Sequence, residues 1–448
     1  MSALTQPIGI FPFPAGLMLL PEGTPSEVRD TLAAGRMPQA WPQELAAHAA
    51  AHRGDPDAAL ACLDGQDPVS AYNRWILDPD REDLELVRTG LPSAWQPLVD
   101  IVAYMSGASD EVPTVPADAA AEVQALGASA RAAAALQAGD ADGALTALED
   151  GITWATPVLP ALAALFQANA GTIAHENAGA DDVARTHLQA AATVLTHTDL
   201  PISLAEVHHQ LGSLAHAQAA AHGEPLRQAM HHYHTALQLV TEESAPYLWA
   251  TTQLNLAVAY LSSPMTGAGD QLRHGIATQS LRASLRILTA QEHPDLWGTA
   301  TLNLANALVY TPSTHQGDNL VEAVELYEEV LARRSREHDP LGRARVLANQ
   351  GNVLAHLGMF EPAKAKLVEA RYLFEEQLDH DGVLTVRSVL DEIARATVGS
   401  DDASDAREMG QMARMPVPAA SAGSGLGSAL MGDAPPRPKV TILSGDDR

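Results

Sequence analysis

"HPDLWGTATLNLANALVY", residues 293–310, decides how the whole chain is read. It places a proline, then a tryptophan three residues on, then Asn-Leu-Ala-Asn-Ala. Pro294 stands nine residues before Asn303, and the same step joins Pro246 to Asn255, Pro340 to Asn349, Pro201 to Gln210 and Pro160 to Asn169. Two residues after each polar position comes a small one: Gly171, Gly212, Ala257, Ala305 and Gly351. Five copies in register define a repeat, so the stretch is a unit of construction.

Each unit reads as a helical hairpin. Proline suits the first turn of a helix, where its missing N–H has no partner to lose, and a small residue mid-helix allows a neighbour to approach closely. A second helical pattern follows in "RTHLQAAATVL", "MHHYHTALQLV", "QSLRASLRILT", "AVELYEEVLARR" and "AKAKLVEARYLFEE". Leu188, Tyr233, Leu281, Tyr327 and Leu367 hold equivalent places in it, with Leu237, Leu285 and Leu331 one turn further on.

These units resemble the tetratricopeptide repeat (TPR) family. Leu347, Gly351, Leu354, Gly358, Ala363, Leu367 and Ala370 fall on that family's 34-residue pattern of small and large residues. Asn303-Leu304-Ala305-Asn306-Ala307 is similar to its first-helix Asn-Leu-Gly-Asn-Ala, and the Pro-x-x-Trp starts (Pro246–Trp249, Pro294–Trp297) resemble a bacterial subgroup. The resemblance implies an all-α fold: a right-handed superhelical solenoid of hairpins whose first helices line a concave face. Successive prolines are 41, 45, 48 and 46 residues apart, longer than the family period, and the excess falls in "SSPMTGAGDQLRHG" and "TPSTHQGDN", read as surface insertions.

Composition agrees with a helical reading. Apolar residues make up 46% of the 448 but aromatic ones only 4%, so the core must be built from Ala and Leu, both strong helix formers. The formal charge of −28 sets a repulsive field against a phosphate backbone, so no nucleic-acid partner is expected. Cys62 is the only cysteine; it excludes an intrachain disulfide and reads as buried filler beside Ala and Leu. The run "IGIFPFPAGLMLL" lacks a preceding basic residue and is broken by Pro12 and Pro14, which fits neither a secretory signal nor a membrane span; no membrane partner and a cytoplasmic location are expected.

The chain divides on this reading into an apolar N-terminal segment (1–25), an N-terminal helical region with a degenerate repeat (26–115), the repeat array (116–398) and a tail (399–448). "AAHRGDPDAALACLDGQ" (50–66) and "ALQAGDADGALTALEDGI" (135–152) share a Gly-Asp turn and are similar to degenerate copies; "SDEVPTVPADAA" (109–120) reads as a linker. The first segment is too proline-broken for a helix and must bury its Phe, Met and Leu side chains, against its own chain or in a partner. The tail, rich in Ser, Ala, Gly, Pro and Asp, is expected to be disordered; its β-prone run at Val440–Leu443 reads as an unselected tail end, with a peptide that joins a partner's sheet edge or groove as the alternative.

On the family pattern the groove-facing places are His209, Ser213 and His216 in one copy, Asn306 in a later one, and Arg345, Asn352 and His356 in the last. Amide and guanidinium groups there can hold a peptide backbone or a carboxylate. The family's carboxylate clamp uses a Lys where this chain has His209, Leu254, Leu302 and Ala348, so that clamp is incomplete. Histidine clusters at 207–210 and 231–234 raise metal binding, yet no carboxylate or Cys completes a recognised spacing; no metal or cofactor is expected. No Walker loop or nucleophile elbow occurs, "GSGLGS" in the tail follows no strand, and the acid pairs Glu328-Glu329 and Glu375-Glu376 read as salt-bridging surface. The expectation is a non-catalytic protein-binding scaffold, an adaptor or assembly factor for a multi-subunit bacterial enzyme, with a redox enzyme such as a hydrogenase as one client class and self-association open. The alternatives are a peptide- or ligand-responsive regulator and a His-based metal-binding maturation factor.

Overall fold

The computed structural model describes residues 10–11, 14–178, 180–219, 223–263, 270–310 and 315–402. Among them are nineteen α-helices and no β-strand. The first six are short: α1 (Ser26–Ala33), α2 (Ala46–His52), α3 (Pro56–Ala61), α4 (Pro68–Leu77), α5 (Leu84–Gly90) and α6 (Pro97–Met105). Then come the hairpins α7 (Ala121–Gln137) with α8 (Ala141–Ala155) and α9 (Pro160–Ala178) with α10 (Asp181–Leu195), followed by α11 (Pro201–Gln218) and α12 (Gly223–Leu239). The hairpins continue as α13 (Pro246–Leu261) with α14 (Asp270–Ser284), α15 (Pro294–Tyr310) with α16 (Gln316–Arg333), and α17 (Pro340–His356) with α18 (Phe360–Glu376), before α19 (His380–Asp402). Pro160, Pro201, Pro246, Pro294 and Pro340 are each the first residue of a helix, as the repeat requires.

Two compact units are present, the first ending at Leu214 and the second starting at Ala215. In the second, each helix from α12 to α19 packs on the next, and the first helices also touch one another in the series α13, α15, α17, α19. Contacts between both sequential and alternate helices are what stacked hairpins require. Within a repeat the small residue of the first helix receives the large residue of the second: a Cβ on Gly351 would lie 2.7 Å from Leu367 Cγ. In the first unit the same construction sets Gly171 against Leu188. The aromatic starts have a local cause too. The Arg286 guanidinium lies 5.3 Å from the Trp249 ring centre and that of Arg333 5.0 Å from Trp297, so each cation covers the ring that opens the hairpin. The last copy has Arg343 at that place, where it donates to the Leu331 and Arg334 carbonyls (both 3.0 Å) at the end of α16. The last described helix of the second unit is α19, which buries Val383, Val386 and Ile393 and exposes Leu384, Arg387, Asp391 and Arg395.

Several readings change. Asp270–Gly275, taken as insertion, is the first turn and a half of α14; residues 264–269 and 311–314 lie outside the described residues. The supposed linker packs: a Cβ on Gly127 would overlap Val115, Gln124 Nε2 donates to the Pro116 carbonyl (2.6 Å), and one core runs from Ile10 to Ile173 through this region. Cys62 is exposed rather than buried: it is the residue that caps the C-terminal end of α3, beyond Ala59, the one residue of that helix that is buried. Residues 399–402 close α19, while 403–448, including Val440–Leu443, lie outside the described residues. The Gly-Asp turn keeps its expected role. Gly139 adopts φ +75° to end α7, and Asp140 accepts from Gly143 N–H (2.9 Å) to begin α8; Gly54 and Asp55 do the same between α2 and α3.

The described part of the N-terminal apolar segment is buried in its own chain. Met18, Leu19 and Leu20 are fully buried in the first unit's core. An extended segment cannot satisfy its own backbone, so side chains do it. Asn73 on α4 accepts from Leu19 N–H (2.7 Å) and donates to the Leu19 carbonyl (2.8 Å); His48 Nε2 donates to that same carbonyl (3.1 Å) and Tyr72 to the Leu17 carbonyl (3.1 Å).

Burial has a consequence in acid. His48 and His209, 2% and 3% exposed, have lost hydration and are held down to about 4 against an ordinary 6.5; at His48 the Leu19 bond opposes the shift. The unfolded histidines take up protons as pH falls past 6.5 and the folded ones do not until about 4, so the stability present above 6.5 is lost on acidification. Each should cost about 2 kcal/mol at pH 5. His48→Gln keeps a donor for Leu19 and should remove its share, so denaturant melts of the variant and parent should converge between pH 7 and pH 5. Parallel pH profiles would refute this. Acid also relieves self-repulsion in a chain of charge −28, which makes the variant comparison the decisive one.

Candidate functional site

The expected binding residues fall into different environments. α17 is set by Asp339, which caps it by accepting from Gly342 N–H (2.8 Å) and pairs with Arg334 (3.0 Å). Its apolar face, Ala344, Leu347, Ala348, Gly351 and Leu354, is buried. On the other side Arg345, Asn349, Asn352 and His356 are half-buried, and steps of four, three and four residues put them in one stripe. Asn352 makes no hydrogen bond among the described residues, so its amide keeps both donors and its acceptor. Burial holds His356 below the ordinary histidine range, with Glu392 on α19 pulling the other way, which favours a neutral ring at pH 7.

Asn306 is corrected. It was placed on a partner-facing surface, but it is 5% exposed. Its Oδ1 accepts from the Tyr327 hydroxyl (2.6 Å) on α16 and from Asn349 Nδ2 (3.1 Å) on α17. Buried polar atoms that meet in this way fix the register of neighbouring repeats. α15 is buried at every residue from Leu296 to Val309 except Trp297, so no side of its centre is left for a ligand. The Tyr327 hydroxyl is the signal missed in sequence: equivalent to Leu188 and Leu367 in packing, it alone of these three brings a polar atom that must be satisfied.

His209 in the first unit is likewise buried and neutral, which removes it from a binding surface in this conformation. Ser213 is half-buried in that unit, and His216, in the second, is half-buried and lowered by burial. His234 Nε2 hydrogen-bonds the Tyr260 hydroxyl (2.8 Å). Among the described residues no three His, Cys, Asp or Glu side chains converge as a metal would require, and no helix is long and apolar enough to cross a membrane.

Charge in the second unit is sorted by helix. α13 carries no charged residue, α15 only Asp295, and α17 Arg343 and Arg345 without an acid. α16 carries Asp318, Glu322, Glu325, Glu328 and Glu329. Acids on or just after the second helices pair with adjacent repeats: forward for Glu242 with Arg286 (2.6 Å) and Glu328 with Lys366 (3.0 Å), and backward for Glu322 with Arg282 (2.7 Å) and Glu376 with Arg336 (2.8 Å). Glu328, Glu375 and Glu376 of the acid pairs are thus ion-paired surface, and α13, α15 and α17 stay nearly free of negative charge.

Fold and site together define an all-α protein of stacked helical hairpins with a polar stripe on α17, a helix that carries no acid of its own. Comparison of the chain with protein-family models and with curated proteins finds no match.

Proposed function

We propose that the chain is a TPR-type scaffold that binds another protein through the first-helix face of its second unit and performs no chemistry itself. The observation that carries this reading is the α17 stripe: Arg345, Asn352 and His356 are half-buried in one row, the Asn352 amide is unengaged, and no acid stands on that helix. Such a surface offers directional donors and acceptors to a peptide backbone through Asn352, on a helix whose charge is positive. The repeat spacing and the Asn-Leu-Ala-Asn-Ala motif support the TPR assignment, and hairpin arrays of that type serve as binding surfaces. On the same resemblance the role is that of an adaptor or assembly factor for a multi-subunit enzyme in a bacterial cytoplasm.

Gentle affinity purification from the native host, followed by mass spectrometry, tests the reading. A stoichiometric protein partner should be recovered with the parent chain and lost with Arg345→Ala combined with Asn352→Ala, while Lys364→Ala on α18 retains it. Two such contacts, each worth about 1–2 kcal/mol, should weaken binding about thirtyfold or more. Recovery of the chain alone, or equal recovery with all variants, would remove the support.

A further inference from the structure

In the first unit, α4, α5, α6 and residues 108–114 surround a cleft of about 550 Å³, the size of small-molecule sites. Its lining combines apolar side chains, among them Trp75, Ile76, Leu84, Val102 and Val112, with the charged Arg88, Asp100 and Glu111. We propose that this cleft binds a small organic cation, an amine on an apolar body. The inference is independent of the partner-binding reading and concerns a different unit.

The charge arrangement selects the sign. Arg88 is committed to Asp100 through both terminal nitrogens (Nη2–Oδ1 2.5 Å, Nη1–Oδ2 3.2 Å). Around that pair stand two more carboxylates, Glu85 with Oε1 3.6 Å from Arg88 Nε, and Glu111 on the cleft wall. Glu85 and Glu111 add two carboxylates to the Arg88–Asp100 ion pair, so the local balance is negative and attracts a cation where it would repel an anion. Asp100 registers the imbalance: burial raises its carboxyl, Arg88 opposes, and Glu85 and Glu111 raise it further. The Ser106 hydroxyl points the same way. Ser106 spends its proton on the Ala103 carbonyl (3.2 Å), leaving oxygen lone pairs, which an ammonium can use as acceptors. The apolar side chains then take the body of the amine, and the chain's net charge of −28 raises the local concentration of any cation.

Calorimetric titration of the full chain with phenethylamine at about 150 mM salt, where surface charge is screened beyond a Debye length, tests this. A saturable one-to-one isotherm is expected, with no binding of its neutral counterpart 2-phenylethanol. Glu111→Gln and Asp100→Asn should each weaken the amine by about tenfold or more. Glu111 is exposed and its substitution leaves the fold intact, so it decides the matter if Asp100→Asn disturbs Arg88. Absence of a saturable isotherm, equal binding of the alcohol, or an unchanged isotherm in Glu111→Gln would overturn the proposal.

Discussion

Asn73→Leu should destabilise the first unit by about 3 kcal/mol, one of the two largest single-residue effects expected in this protein. The side chain supplies the hydrogen-bond partner of Leu19 N–H and a second donor to the Leu19 carbonyl, in a segment fully buried at Met18, Leu19 and Leu20. Leucine fills a similar volume but leaves the N–H buried without an acceptor, a penalty of about 1–3 kcal/mol beyond the lost bond itself. The His48 contact still serves the carbonyl, which limits the loss. Denaturant titration should show a lower midpoint with an unchanged slope, and limited proteolysis should cut within residues 10–25 of the variant first. A midpoint equal to the parent's would mean that the segment is held by apolar burial alone.

Gly351→Val should cost the second unit about 3 kcal/mol, against the gain in helix propensity that replacing a glycine ordinarily brings. A Cβ there would lie 2.7 Å from Leu367 Cγ, 3.0 Å from Leu367 Cδ2 and 3.3 Å from the Ala363 carbonyl. The first of these atoms is a branch point close to the backbone of α18, so a rotamer change alone does not clear it. Branching at Cβ adds a second methyl to the same crowded space. The hairpin α17–α18 must open, and with it the stripe bearing Arg345 and Asn352. A thermal melt in which Gly351→Val matched the parent, or exceeded it as propensity alone predicts, would contradict the close helix contact.

Much of this fold was legible because its determinants are local. A proline at the first helical position, a glycine in the left-handed conformation before a capping aspartate, and a small residue opposite a large one are each read within one hairpin. The destination of the apolar N-terminal segment could be narrowed for the same reason: it was too apolar to stay in water, although nothing in its own sequence named Asn73 as its partner. What escaped depends on neighbours distant in sequence. Asn306 and Asn352 occupy the same place twelve residues after their prolines, yet one is sealed between Tyr327 and Asn349 and the other keeps its amide open. Repeat register assigns both to one face. It does not say how closely the following hairpin covers that face, and only the tyrosine hydroxyl at 327 marks the difference. The segment 109–120 failed similarly: its prolines and acids suggested a linker, but Val115 fits the gap left by Gly127 on α7.

The central claim is that the first-helix face of the second unit receives another protein. Site-specific incorporation of a photo-crosslinking amino acid at Asn352, and separately at Glu361 on α18, followed by irradiation in the native host, tests it most directly. A discrete adduct to a second protein from position 352 and none from 361 is the predicted result. An adduct from 361 alone, or none from 352 in a chain that remains folded, would contradict it.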